Sequence, residues 1–137
     1  MARGERTGNG GSGSCLCGNV KYTINGPLRE VVACHCQQCR KQSGHFFAAT
    51  DCADEDLTIH DGGNLQWYAA SSEAKRGFCG KCGSILFWRR NDASQTSILA
   101  GSLDNEGDIK LTKHIFCSDK GDYYEINDGL PQFEQGD

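Results

Sequence analysis

Nine cysteines stand in this chain of 137 residues, and their spacing restricts what it can fold into more than any other feature. Cys15 and Cys17 form a C-x-C pair, Cys34, Cys36 and Cys39 a C-x-C-x-x-C run, and Cys79 and Cys82 a C-x-x-C pair. Cys52 and Cys117 stand alone. Neighbours this close rarely meet the geometry of a disulfide with each other, whereas converging thiolates suit a tetrahedral metal. The count is odd, and the opening stretch MARGERTGNGGSGS has no apolar run of the kind a secretory signal carries. Both points favour metal binding in a reducing compartment, the cytoplasm.

Two sets follow from the spacing. Cys15 and Cys17, with Cys79 and Cys82, lie about sixty residues apart, too far for a local finger. They are expected to staple an early strand to a late hairpin, with Gly80 and Gly83 allowing sharp turns that aim backbone amides at the sulfurs. Four thiolates close a zinc shell, which makes a structural site. In the second set Cys34 and Cys36 are in i, i+2 register and Cys39 follows a turn later, so three sulfurs can reach one ion. His35 between them is expected to point to the opposite face of an extended chain. Three thiolates with a free fourth position make a catalytic zinc; a shell closed by His35, Cys52 or Cys117 makes a second structural one. The spacing leaves both open.

The rest of the chain reads as all-β. Val20–Ile24, Glu30–Cys34, Phe46–Thr50, Leu57–His60 and Leu65–Ala69 are expected strands, as are Arg76–Cys79, Ser84–Trp88, Thr96–Ala100 and His114–Cys117. Cys36–Ser43 and Asp122–Ile126 are the segments suited to a helical turn. The length fits one domain, expected over residues 14–133. A flexible Gly/Ser-rich arm is expected at 1–13 and a surface tail at 134–137. Fourteen basic against eighteen acidic residues, a net −4 without blocks, leave no footprint for nucleic acid or an anionic membrane. No apolar run approaches the ~20 residues of a membrane span.

Ser14–Gly18, Cys34-His-Cys-Gln-Gln-Cys-Arg40 with Ser43-Gly44, Arg76-Gly-Phe-Cys-Gly-Lys-Cys-Gly-Ser84 and the ending Ile126-Asn-Asp-Gly-Leu-Pro131 together resemble the glutathione-dependent formaldehyde-activating enzyme family. The resemblance covers nearly the whole chain, from about Ser14 to Phe133. It implies antiparallel sheets arranged like a tent and stapled by zinc, with two Zn2+ per chain. Carried over by motif, Cys15, Cys17, Cys79 and Cys82 are the structural ligands, and Cys34, Cys36 and Cys39 are both ligands and the catalytic set. The implied activity is that of a carbon–sulfur lyase joining a small thiol such as glutathione to a small aldehyde, formaldehyde, as S-hydroxymethylglutathione. The rival reading is a non-catalytic zinc-stabilised binding or chaperone module of the same fold. A homodimer is left open.

Other residues carry alternatives. Cys52 and Cys117 suit a β core as small hydrophobes. Arg40 and Arg76 can hold a substrate carboxylate or offset the charge of nearby thiolates. His45 can shuttle a proton near the second site or sit at the surface. Phe46, Phe47, Trp67, Tyr68, Phe87 and Trp88 are expected in the core, some of them walling the second site.

Overall fold

The computed structural model describes residues 5–104 and 108–136. Its strands are short, as the alternating sequence requires. They are β1 (Arg6–Gly8), β2 (Gly11–Ser14), β3 (Lys21–Ile24), β4 (Leu28–Arg29), β5 (Val31–Cys34) and β6 (Phe47–Ala53). Then come β7 (Leu57–His60), β8 (Leu65–Tyr68), β9 (Ala74–Cys79), β10 (Ile85–Arg90), β11 (Gln95–Leu99) and β12 (Leu111–Ile115). One α-helix, α1 (Gln37–Ser43), separates β5 from β6. The order β12-β5-β6-β11-β10-β9-β8 makes a seven-stranded sheet; β2-β3-β7 and β1-β4 make smaller ones. All described pairings between these strands are antiparallel except β12 with β5, where Ile115 lies beside Cys34, and an isolated parallel bridge joins His114 to Gln132. Among the described residues no helix is long and apolar enough to cross a membrane.

Alternation along the strands splits the large sheet into two faces. On one, Tyr22 of β3 packs edge-on against Phe87 of β10, with ring centroids 5.4 Å apart, and Val20, Ile24, Leu86 and Ile98 fill in around them. On the other, Val32, Cys34, Phe47, Ala49 and Ile115 pack with Cys39 of α1, flanked by Trp88 and Phe116. The first face seats the three-stranded sheet. The second seats the helix that follows Cys36.

Of the arm expected at 1–13, residues 1–4 lie outside the described residues, and 6–8 and 11–13 lie in paired strands. Residues of β1 align with β4, and β2 runs Gly11–Ser14 against Ile24–Lys21. Glycine, read from composition as freedom, here permits close approach: a Cβ on Gly13 would fall inside 3.0 Å of Tyr22 and of the Ser102 backbone, and one on Gly10 would meet the Ile24 carbonyl. At the other end, Phe116 and Ser118 donate backbone N–H groups to the carbonyls of Gln135 and Glu134. Asp122–Ile126 forms no helix; the helical turn falls earlier, at Cys117–Asp119. Tyr124 and Asp128 of this stretch are drawn instead onto His35 and His114. Cys52 is fully buried in the core, as expected, but Cys117 is half-buried in that turn, with its N–H given to the Phe133 carbonyl.

Candidate metal centre

None of the nine cysteines is in a disulfide. Seven gather in two groups, Cys15/Cys17/Cys79/Cys82 and Cys34/Cys36/Cys39, and within each group the sulfurs all lie within 4.8 Å of one another. Both groups can bind metal.

The four-cysteine group is built from two knuckles with one design. In each, the second cysteine is followed by a left-handed glycine, Gly18 at φ 80° and Gly83 at φ 82°, a region that glycine enters without a Cβ penalty. In each, the first cysteine's N–H closes the loop onto a carbonyl five residues on: Cys15 to Val20 at 3.0 Å and Cys79 to Ser84 at 2.9 Å. The turns aim backbone donors at sulfur, Val20 N–H to Cys15 Sγ at 3.3 Å and Lys81 N–H to Cys79 Sγ at 3.4 Å. The Ser84 hydroxyl, then its backbone N–H, lowers the Cys82 thiol to about 5. Because β2 leads into Cys15 and β9 ends on Cys79, the group joins the three-stranded sheet to the seven-stranded one.

The three-cysteine group sits where a strand becomes a helix. Cys34 ends β5, Cys36 is the N-cap of α1, and Cys39 is buried in the first turn. Cys36 Sγ accepts the Cys39 N–H at 3.4 Å, the place an aspartate or serine oxygen takes in an ordinary cap. Gly44, at φ 85°, ends the helix by donating its N–H to the Arg40 carbonyl. Hydrogen bonds from Cys34 and then Cys39 hold the Cys36 thiol well below the ordinary thiol range, and the bonds with Cys36 and then Cys39 push the Cys34 thiol up. Among the described residues no further His, Cys, Asp or Glu joins this group. A cavity of about 380 Å³ opens beside it, lined by the three cysteines with Phe47, Trp88 and Phe116 as its aromatic wall. Phe116 reaches that wall from a left-handed backbone at φ 55°, uncommon for a bulky residue.

None of the residues weighed as a fourth ligand joins the three sulfurs within 4.8 Å. Cys52 belongs to the core on the opposite face of the sheet. His35 points away from the sulfurs, as the i, i+2 geometry predicts, into a buried chain of polar groups. Its Nε2 is 2.8 Å from His114 Nδ1, its Nδ1 meets the Tyr124 hydroxyl, and His114 Nε2 is 2.7 Å from Asp128 Oδ2. Burial, helped by His114, lowers His35 to about 4, and burial raises Tyr124 to about 12. With His35 neutral, a chain of donors that satisfies every atom runs from the Tyr124 O–H to His35 Nδ1, from His35 Nε2–H to His114 Nδ1, and from His114 Nε2–H to Asp128. This chain fastens the C-terminal segment to the back of the ligand strand. Sequence reasoning placed His35 correctly but missed His114, Tyr124 and Asp128. Alternation turned His35 to the far face and gave no means of choosing what it meets there.

His45 is exposed, bonded to the Tyr123 hydroxyl at 2.6 Å and outside the cavity lining. Arg40 donates to the Asp119 carbonyl at 3.3 Å. Arg76 precedes the Cys79 knuckle in sequence, yet its guanidinium lies against Cys39 of the other group. Trp67 stacks on Phe87, while Tyr68 is largely exposed.

A sheet protein carrying two cysteine groups able to hold metal, one with four sulfurs and one with three beside a cavity, is the class defined by this geometry. The profile of the family described as glutathione-dependent formaldehyde-activating enzyme matches residues 11–119, and the chain belongs to that family. A protein of Schizosaccharomyces pombe named an uncharacterized lyase is 29% identical over 124 residues, covering 88% of each chain. A crystal structure of a Rhodobacter sphaeroides protein shares the fold, with a TM-score of 0.59 at 24% identity over 74% of this chain and 99% of that one.

Proposed function

We propose that the chain is a zinc-dependent carbon–sulfur lyase, or synthase in the opposite direction, acting on thiol–aldehyde adducts of the S-hydroxymethylglutathione type. The observation that carries this reading is the gathering of Cys34, Cys36 and Cys39 at a cavity, with no further ligand atom among the described residues within 4.8 Å of all three sulfurs, although Glu73 and Asp119 line the same cavity. The donor set fits: sulfurs this close, from a strand end and a helix start, suit a soft or borderline metal such as zinc. The family's description names glutathione and formaldehyde, and the fission-yeast relative is named a lyase; both support the assignment.

In this reading Cys15, Cys17, Cys79 and Cys82 hold a structural zinc, and Cys34, Cys36 and Cys39 hold the catalytic one. When bound there, zinc supplies a Lewis acid that lowers the pKa of a substrate thiol and so provides thiolate at neutral pH. The protein's own groups do the rest. Phe47, Trp88 and Phe116 keep water from one side of the cavity, and Gln37, Gln38 and Ser71 offer hydrogen bonds along its polar rim. In synthesis the thiol sulfur's electron pair forms the bond to the aldehyde carbon, and the thiol proton ends on the new carbinol oxygen. The lyase direction reverses both changes.

Two measurements test this. The protein should accelerate adduct formation from glutathione and formaldehyde above the uncatalysed background. Cys36→Ser should lose one zinc per chain and that acceleration while staying folded on the four-cysteine site. Retention of both zincs, or a rate no higher than background in the wild type, would sink the assignment.

A further inference from the structure

Arg76 is 3% exposed, and an arginine so deep needs an anion. Among the described residues no carboxylate pairs with it. Its Nη1 and Nη2 both donate to Cys39 Sγ, at 3.7 and 3.6 Å. The remaining partners are neutral amides of the same helix: Nη1 donates to Gln42 Oε1 at 3.2 Å and Nη2 to Gln38 Oε1 at 3.4 Å. The guanidinium carbon lies 5.3 Å from the centre of the Phe47 ring, and Nε is buried without a partner. Every close contact of the charged end is therefore to α1, to the cavity wall, or to one sulfur. That sulfur is the one group among them able to supply a negative charge.

From this we infer that Arg76 is a positioning residue for the three-cysteine group: its two donors hold the Cys39 sulfur in place toward the metal, and its charge offsets that of the loaded site. The inference rests on the three-cysteine metal site proposed above. Three thiolates around a divalent ion leave one negative charge, which the guanidinium balances. Two N–H donors on one sulfur also draw density from it, so the metal it binds stays more electrophilic toward a fourth ligand. The fork matters as well as the charge, since a planar guanidinium reaches Cys39, Gln38 and Gln42 together while an ammonium is a point donor. Finally, Arg76 and Cys79 share β9, three residues apart. The strand end fixed by the four-cysteine group thus carries the residue that orders the three-cysteine group.

The test is metal affinity, read by chelator competition on the zinc-loaded full chain, with the four-cysteine site as internal control. Arg76→Met should weaken the second zinc about 10–100-fold, the usual effect of removing a partner just outside a metal's ligands, and leave the first zinc unchanged. In the cobalt-substituted protein the thiolate-to-cobalt charge-transfer band should shift in the same variant. Should Arg76→Met fail to fold, Arg76→Lys keeps the charge and stem, and a smaller but measurable weakening is expected. A second metal held as tightly as in the wild type, with an unshifted cobalt band, would overturn the role of Arg76 alone. A wild-type chain that takes up a single metal would overturn the three-cysteine site and this inference with it.

Discussion

Replacing Gly13 by alanine adds one methyl group to a segment that looks, by composition, free of constraint. In the fold Gly13 lies opposite Tyr22 in the β2–β3 register and bridges to Leu103. A Cβ there would come inside 3.0 Å of the Tyr22 hydroxyl, its ring carbon and the Ser102 carbonyl, against ordinary contacts of 3.4–4 Å. None of these can swing away cheaply. Tyr22 is buried against Phe87, its hydroxyl is 2.6 Å from Ser102 Oγ, and the carbonyl is backbone. Overpacking of this kind costs about 1–3 kcal/mol. Losing the Tyr22–Ser102 hydrogen bond adds about 1 kcal/mol, so the expected total is about 2–4 kcal/mol. At roughly 4 °C per kcal/mol for a chain of this size, Tm should fall by about 8–16 °C. Gly11→Ala is the control, because nothing lies within 4 Å of its added Cβ; its effect should stay within about 0.5 kcal/mol. Urea and thermal unfolding should be followed at one fixed free-zinc concentration, since a metal bound only by the folded chain raises apparent stability. Equal stabilities for Gly13→Ala and Gly11→Ala would refute the packing of β2 under Tyr22.

Two further outcomes are expected. His114→Ala leaves His35 Nε2–H buried without an acceptor, at a cost of about 1–3 kcal/mol in urea unfolding, whereas Asp128→Asn, at the exposed end of the chain of rings, should cost less. A His114→Ala protein as stable as the wild type would mean that the buried polar chain contributes nothing. Burial, then Asp51, pushes the Cys52 thiol up to about 12, so the unfolded chain releases this proton first and stability should fall as pH rises from 9 toward 12. The slope is about 1.4 kcal/mol per pH unit once the unfolded thiol is ionised, and Cys52→Ala should flatten it. The same burial predicts that iodoacetamide leaves Cys52 unlabelled in the native protein; labelling at the rate of a free thiol would contradict its placement.

The strand list was legible because alternation is a local property. Leu57–His60 is found where expected, and β3, β5 and β8 differ by a residue at one end. The β-strand at Leu111–Ile115 begins earlier than expected because its partner is β5 in parallel, a long-range pairing that pattern alone does not announce. The arm was misjudged for a related reason. Hydropathy registers side chains, whereas Arg6–Gly8 and Gly11–Ser14 are held by backbone pairing and by the absence of a Cβ where Tyr22 and Ile24 press close.

The four-cysteine group was determined locally, as two knuckles. C-x-C and C-x-x-C, each followed by glycine, carry their own turns, and those turns form as the spacing required. What closes or opens a group is not local. His35 was expected on the opposite face, while Cys52 and Cys117 had no single assigned place; the pleat turned His35 onto His114, the sheet buried Cys52 on its far face, and Cys117 fell into a turn with its N–H on the Phe133 carbonyl. Likewise, the sequence offered Arg76 as a carboxylate binder or a partner of nearby thiolates, and although Cys79 is its neighbour in the chain, the fold sets its guanidinium against Cys39. Residue types and spacings set which ligands exist. Only the tertiary structure, which pairs groups separated by tens of residues, decided which of them meet.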